Sequence, residues 1–378
     1  MAKVVGIDSG TLSMDILGFN DKTMDIFLDV AIPREDVTRN PRIVLDLLYE
    51  AADRVGGLDS IVMSSGYGIP LKMAVDASYS EIIEATFTNP EDSRRRLRIH
   101  GLRDLMVMLK ESRLPVWFTP SVVQLDSVPS HRKLNRIDLG TSDKIYSVAA
   151  ALRNEVELYE VSPLNARFIL VEAGYAYIAS ILVDGGKIVD GIGGTSGWWG
   201  FLGGGFLDAE VAYLLASMNK LSKRETLFKG GASDLAGTTS LDRFVERLEK
   251  GDPGAEKAFN AIKESILKSI ASLLPIQPRI DSIYVSGRIF RINAIGEELI
   301  NAIKEFVDAL GLMVDVKRVS KIGVVTKEAA TGAAIIASGL AGGRYSWIID
   351  ILGLEKSRGS IFDNLTLAGA EEVRRIIS

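Results

Sequence analysis

VVGIDSGTLSMDI, residues 4–16, is an apolar run that ends on a carboxylate, turns through Ser9-Gly10-Thr11 and resumes as a second extended run. Two strands joined by a tight turn, with an acid at the end of the first, form a hairpin that suits phosphate. Gly10 lets backbone approach a ligand closely, while Ser9, Thr11 and Ser13 offer hydroxyl donors to phosphate oxygens. Asp8 suits a hydrated Mg²⁺ beside those phosphates, because this hard ion keeps most of its waters. An ordinary β-turn closed by an Asx or Ser/Thr side chain accounts for the same residues equally well.

Working outward, Val30-Ala31-Ile32 adds a third extended segment. Residues 42–56 then space Ile43, Leu47, Leu48, Ala51, Ala52 and Val55 at helical intervals and stop at Gly56-Gly57, a C-terminal cap signal. Ser60–Met63 is a short buried strand opening into Ser64-Ser65-Gly66-Tyr67-Gly68, and Pro115–Thr119 is another strand. The order hairpin, strand, helix, strand, loop reads as an α/β domain. The second half repeats the opening. FILVEAGYAYIASILVDGGKIVDG, residues 168–191, carries strand, Glu172, Gly174, strand and then the hairpin turn Asp184-Gly185-Gly186-Lys187. Asp8 and Glu172 lie one domain length apart, which points to two related domains, 1–160 and 161–378, joined through a polar stretch between Asn154 and Asn165. Glu172 and Gly174 stand in this hairpin where Asp8 and Gly10 stand in the first.

Composition narrows the chemistry. The 378 residues are 47% hydrophobic and 25% charged, enough for a large core. A net charge of −5 lacks the electrostatic footprint of a nucleic-acid binder. Cysteine is absent, which removes disulfides, thiolate metal sites and a cysteine nucleophile. His100 and His131 are the only histidines, so any chemistry runs on carboxylates, hydroxyls, Lys/Arg and backbone amides. No apolar run is long enough for a leader or a membrane span, and the chain is expected to be cytoplasmic.

Three further motifs bear on a site. IDLGTSDK, residues 137–144, is a loop entering a helix, with Thr141 at an N-terminus whose amides suit an anion, although Asp143 is equally a capping residue. IDSIYVSGRIFRI, residues 280–292, is a strand that breaks at Gly287-Arg288 before a helix to about Ala309. That geometry suits an adenine ring or a plain connection. KEAATGAAIIASGLAGG, residues 327–343, is a small-residue helix made for close helix contact. Residues 79–113 read as helical and basic, with Arg94, Arg95, Arg96, Arg98 and Arg103 on a solvated face. The Gly-rich stretch 191–207, with Trp198, Trp199, Phe201 and Leu202, and Phe206, is expected to be a flexible substrate lid rather than a subunit contact.

Taken in order, these motifs resemble the acetate and sugar kinase/Hsp70/actin superfamily, and are most similar to butyrate and acetate kinases. LDSIVMSSGYGIPLK (58–72) resembles the Gly-rich substrate loop of butyrate kinases, and FTPSVVQLDSVP (118–129) their Asp-containing strand end. RIDLGTSDKIYSVAAAL (136–152) resembles the following loop and helix, and GGTSGWWGFLGGGFLD (193–208) the long Gly-rich loop. The likeness extends over most of residues 1–340 and is greatest to an archaeal family labelled "predicted butyrate kinases". It implies two duplicated ribonuclease H-like (actin-like ATPase) domains around an interdomain nucleotide cleft that closes on ATP. It further implies Mg²⁺ and ATP as cofactors, a small carboxylic acid as phosphoryl acceptor, and a homodimer. Asp8 and Glu172 would position Mg²⁺, and Gly287, Arg288 and Gly332 would border adenosine. Asp126 matches the family's catalytic acid, and Asp138 stands where acetate kinases carry a histidine. Two arginines of those kinases are replaced, one by Ser64-Ser65-Gly66 and the other by Gly203-Gly204-Gly205. Lys72, Lys144 and Arg288 are the candidates to offset them. A nucleotide-binding regulatory protein and a sugar or amino-sugar kinase are the alternatives on this fold.

Overall fold

The computed structural model describes residues 2–87 and 98–377, which form two compact units. Unit 1 comprises residues up to 166, 183–190 and 319–378, and unit 2 comprises 167–182 and 191–318. Residues 319–378 belong to unit 1. The cause is a helix, Glu328–Leu340, whose Ala and Gly residues let it lie directly on the first strand and on helix Ser142–Glu157.

Unit 1 is built on a six-stranded sheet in the order β3-β2-β1-β4-β6-β5, with β1 Lys3–Ser9, β2 Ser13–Asn20, β3 Ile26–Pro33, β4 Ser60–Met63, β5 Lys72–Met73 and β6 Val116–Phe118. The first three strands are an antiparallel meander, and β1, β4 and β6 are parallel. Continuous apolar runs such as Val4–Ile7 and Ile61–Met63 suit these central strands, which are covered on both faces. Helix Arg42–Val55 ends on left-handed Gly56, as its sequence predicts. Helices Tyr79–Thr86 and Arg98–Glu111 bracket Arg94, Arg95 and Arg96, which lie outside the described residues.

The second sheet is ordered β11-β10-β7-β8-β9, with β7 Phe168–Ala173, β8 Ile178–Asp184, β9 Lys187–Ile192, β10 Ser282–Ser286 and β11 Asp315–Arg318. Its order of third, second, first, fourth and fifth strand is that of β3-β2-β1-β4-β6, so the duplication seen in the two hairpins extends to whole sheets. The β8–β9 turn places Gly185 and Gly186 at φ 58° and 73°, the pair of left-handed residues a two-residue hairpin needs. The Gly-rich loop is not the expected lid. Phe201 is fully buried against Tyr175 and Phe244, Trp199 Nε1 donates to the Ala261 carbonyl at 2.7 Å, and the Lys268 ammonium lies over both Trp198 and Trp199. Its glycines let the backbone wrap Tyr177, where side chains at Gly194 or Gly203 would collide with its side chain and one at Gly200 with the Ala176–Tyr177 backbone. Among the described residues no helix is long and apolar enough to cross a membrane.

Candidate functional site

The parallel strands of unit 1 end in register. Ile7 pairs with Met63 and Met63 with Phe118, so the next residues, Asp8, Ser64 and Thr119, emerge along one edge. The meander runs off one side of β1 while β4 and β6 lie on the other. This is a topological switch point, the place where ligands bind outside the carboxyl ends of strands.

Hydroxyls knit that edge together. Ser9 and Ser64 share a hydroxyl–hydroxyl bond, Ser65 Oγ donates to the Thr119 carbonyl at 2.5 Å, and the Ser65 amide donates to Ser142 Oγ at 2.9 Å. Thr119 Oγ1 and the Tyr146 hydroxyl lie 2.5 Å apart, and burial raises the Tyr146 phenol well above its ordinary range. Helix Ser142–Glu157 begins here with Thr141 as its N-cap, and no side chain caps it. The Thr141 hydroxyl instead bonds Asp143, which also pairs with Lys144 at 2.7 Å. Burial acts to raise Asp143, but Lys144, Thr141 and Lys327 outweigh it and hold the carboxyl below its usual range.

The centre of the site is a buried ion triad. Asp8 and Asp15 are directly opposed across β1 and β2, and both are only 2% exposed. Lys327, the residue before helix Glu328–Leu340, places its ammonium 2.6 Å from Asp8 Oδ2 and 2.9 Å from Asp15 Oδ2. Ser13 Oγ donates to the same Asp15 oxygen at 2.8 Å. Burial pushes the Asp8 carboxyl up to about 6; Lys327 pulls it down, while Asp143 and Asp15 add to the rise. Burial alone would lower Lys327, yet the two carboxylates raise it, so it stays a cation across the working pH range. Asp8 Oδ1 is buried with no hydrogen-bond partner.

The approach to Lys327 is held firmly. Asp29 of β3 accepts the amides of Val324, Val325 and Thr326 at 2.7, 2.8 and 2.9 Å and the Thr326 hydroxyl at 2.7 Å. Burial acts to raise the Asp29 carboxyl, but these bonds outweigh it and the net shift is downward. Stability from a carboxyl lowered on folding is present above its unfolded value of 3.8 and lost as pH falls through the folded value. Asp29→Asn will therefore lower the unfolding midpoint at pH 7, and its deficit against the parent chain will shrink as pH falls below about 4. A thermal denaturation series from pH 7 to 3 measures this, and a deficit independent of pH would contradict it.

The structure thus brings together Asp8, Ser9, Gly10 and Ser13 on one hairpin, with Thr141 at the neighbouring helix entry. It spends two of the expected donors internally, Ser9 on Ser64 and Ser13 on Asp15. Asp138 is buried and accepts the Gly140 amide at 3.0 Å, turning the chain toward the helix. Asp126, expected to be a catalytic acid, pairs with the exposed Arg358 at 2.9 Å. Gly332 is corrected. It is enclosed where its helix meets the Tyr146 carbonyl, so its role is packing and not contact with adenosine. Lys72 and Lys144, candidates to replace the missing arginines, are paired with Glu81 and Asp143. In unit 2, Glu172, the penultimate residue of β7, is in register with Ser286 of β10. The Gly174 amide donates to the Tyr177 carbonyl at 2.9 Å. Gly287, at φ 99°, sits against the Ala173 carbonyl, and Arg288 opens the short helical turn Ile289–Arg291. These four expected residues therefore gather at the carboxyl ends of two neighbouring strands.

Sequence reasoning missed Asp15 and Lys327. The hairpin register carried a signal for the first: with a turn centred on residues 11–12, position 8 must face position 15. Nothing local marks Lys327.

Residues 6–367 match a family model described as "Protein of unknown function (DUF1464)". No curated protein matches the chain. Among solved structures it is similar to a propionate kinase from Francisella tularensis subsp. tularensis SCHU S4, at 13% identity and a TM-score of 0.63, over 88% of this chain and 98% of that one. It is also similar to an acetate kinase from Porphyromonas gingivalis, at 13% identity and TM-score 0.56 over 83% and 88% of the two chains. The acetate kinase from Entamoeba histolytica gives 12% identity and TM-score 0.56 over 82% and 86%. At these identities the likeness is one of fold, and it is the two-domain actin-like α/β fold that the motifs imply.

Proposed function

The chain belongs to the DUF1464 family, and we propose that it is an ATP-dependent phosphotransferase whose acceptor is a small carboxylic acid. The observation that carries this reading is the convergence in unit 1 of Asp8, the Gly10 turn, Lys327 and two helix N-termini at the carboxyl ends of β1, β4 and β6. The fold shared with acetate and propionate kinases supports the acceptor class.

Helices Ser142–Glu157 and Glu328–Leu340 both begin at this edge without a side-chain cap, and their positive dipole ends favour phosphate oxygens. Gly10 keeps the turn free of a side chain that would strike the Lys327 ammonium. No described group of three or more His, Cys, Asp or Glu residues is arranged to hold a metal directly. The unpartnered Asp8 Oδ1 does suit a water of a hydrated ion, so the residues fit Mg²⁺ held through water. When bound with ATP, Mg²⁺ would supply positive charge to offset that of the phosphates. Asp8 orients that water shell, Lys327 fixes Asp8, and the helix ends stabilise charge on the phosphoryl group. A carboxylate acceptor has no proton to lose, so this reaction needs no general base, in keeping with Asp126 being tied to Arg358.

A second reading has an observation of its own. With Lys72 and Lys144 engaged by Glu81 and Asp143, neither cation is left to grip an acceptor carboxylate, which favours ATP binding without transfer. A hydroxyl acceptor, as in a sugar kinase, would require a base, a role for Asp126 or Asp138. The test is ADP release from Mg·ATP across panels of carboxylic acids and sugars, with hydroxylamine present to trap acyl phosphate. Hydroxamate formed with a carboxylic acid supports the proposal. ADP released only with sugars moves the assignment to a sugar kinase, and ATP bound without ADP release leaves the regulatory reading.

A further inference from the structure

Two carboxylates facing each other across an antiparallel pair repel, and burying both at the carboxyl edge of a sheet removes the water that would screen them. Asp8 and Asp15 stand in that arrangement, and each directs an oxygen to within 3 Å of a single point. Such a point is where a divalent cation would settle. In this chain it is held by the Lys327 ammonium, whose side chain is 16% exposed. Three features fix it there. Asp29 clamps Val324, Val325 and Thr326 just before it. Lys321 Nζ ties the Val324 and Thr326 carbonyls to the same short segment. Finally, the turn at Gly10 folds over the ammonium so closely that a Cβ there would collide with it.

We infer that Lys327 is a resident cation that occupies the divalent-ion position between Asp8 and Asp15, so that free metal does not bind this edge and enters only with a nucleotide's phosphates. Asp8 Oδ1, buried without a hydrogen-bond partner, is then left for contact through water. The resident-cation half of the inference stands independently of the phosphotransferase reading and only metal entry with a nucleotide rests on it, so a failed Mn²⁺ titration and a failed turnover assay are distinguishable.

That test uses Mn²⁺ alone, titrated into the full chain and followed by electron paramagnetic resonance of the free ion. The parent chain will bind no Mn²⁺ at this edge at micromolar concentrations. Lys327→Met, which keeps the methylene length and removes the charge, will take up one equivalent at least about 100-fold more tightly. The double variant Lys327→Met/Asp15→Asn will lose that site. Removing the ammonium leaves two buried carboxylates unpaired, so the thermal midpoint of Lys327→Met is measured alongside, with and without millimolar MnCl₂. It will rise with Mn²⁺ in the variant and stay unchanged in the parent. Tight Mn²⁺ binding by the parent chain overturns the inference. So does a Lys327→Met chain whose binding and midpoint are both indifferent to Mn²⁺, folded or not, and so does a double variant that still binds tightly.

Discussion

Asp8→Asn will lower ATP turnover by about 10²–10³-fold, the scale on which loss of one positioned charged group at a transferring phosphoryl is felt. The substitution keeps the size of the side chain and removes the charge that holds Lys327 and, in the proposed mechanism, would orient a metal-bound water. Lys327 retains Asp15 at 2.9 Å, so the structural penalty is the weakening of one buried hydrogen-bonded pair, about 1–3 kcal/mol. Steady-state kinetics over a range of Mg·ATP concentrations, with urea unfolding in parallel, separates the two effects. The fall will appear in kcat while the chain remains folded. Turnover kept within a factor of two of the parent would remove Asp8 from the chemistry.

The largest effect on stability belongs to Gly332→Ala. Helix Glu328–Leu340 crosses helix Ser142–Glu157 so closely that a Cβ at residue 332 falls inside the contact distance of the Tyr146 carbonyl oxygen, with the Tyr146 Cα 2.9 Å away. Backbone lies on both sides, so no flexible side-chain end can yield. The opposite face of the same helix packs on β1, where a Cβ at Gly6 would stand 2.5 Å from the Ala330 carbonyl oxygen. Ordinary overpacking costs about 1–3 kcal/mol, and a clash of backbone with backbone lies at or above the top of that range. Gly332→Ala will therefore cost about 3–4 kcal/mol in urea unfolding. If instead it left stability unchanged and weakened only nucleotide binding, the packing role assigned to Gly332 would be wrong.

These two residues also show how far the sequence could be read. Asp8 is legible because its whole context is local: an apolar run, an acid, a glycine turn and a second run. The same holds for the Gly185-Gly186 turn, the C-cap at Gly56 and the helix entry at Thr141. The duplicated sheet order follows from the same local grammar repeated after Phe168. Lys327 is not legible, since its partners lie more than three hundred positions away and no periodicity encodes an ion pair across that distance. Gly332 was misjudged because a small-residue face suits a ligand and a neighbouring helix alike, and only the position of Tyr146 decides between them. The loop after β9 was misjudged for a related reason. Its glycines suggest mobility, yet here they permit backbone to close around Tyr177, while Phe201 and Trp199 anchor it in unit 2.

Hydrogen–deuterium exchange of the whole chain, with and without Mg·ATP, tests most directly whether the carboxyl edge of β1, β4 and β6 is the phosphate site. Saturating Mg·ATP will slow exchange of amides in residues 9–13, 64–66, 141–145 and 328–331, the turn, strand ends and helix entries gathered around Asp8. Exchange unchanged in all four segments at saturating nucleotide, with protection appearing only elsewhere, would contradict that placement.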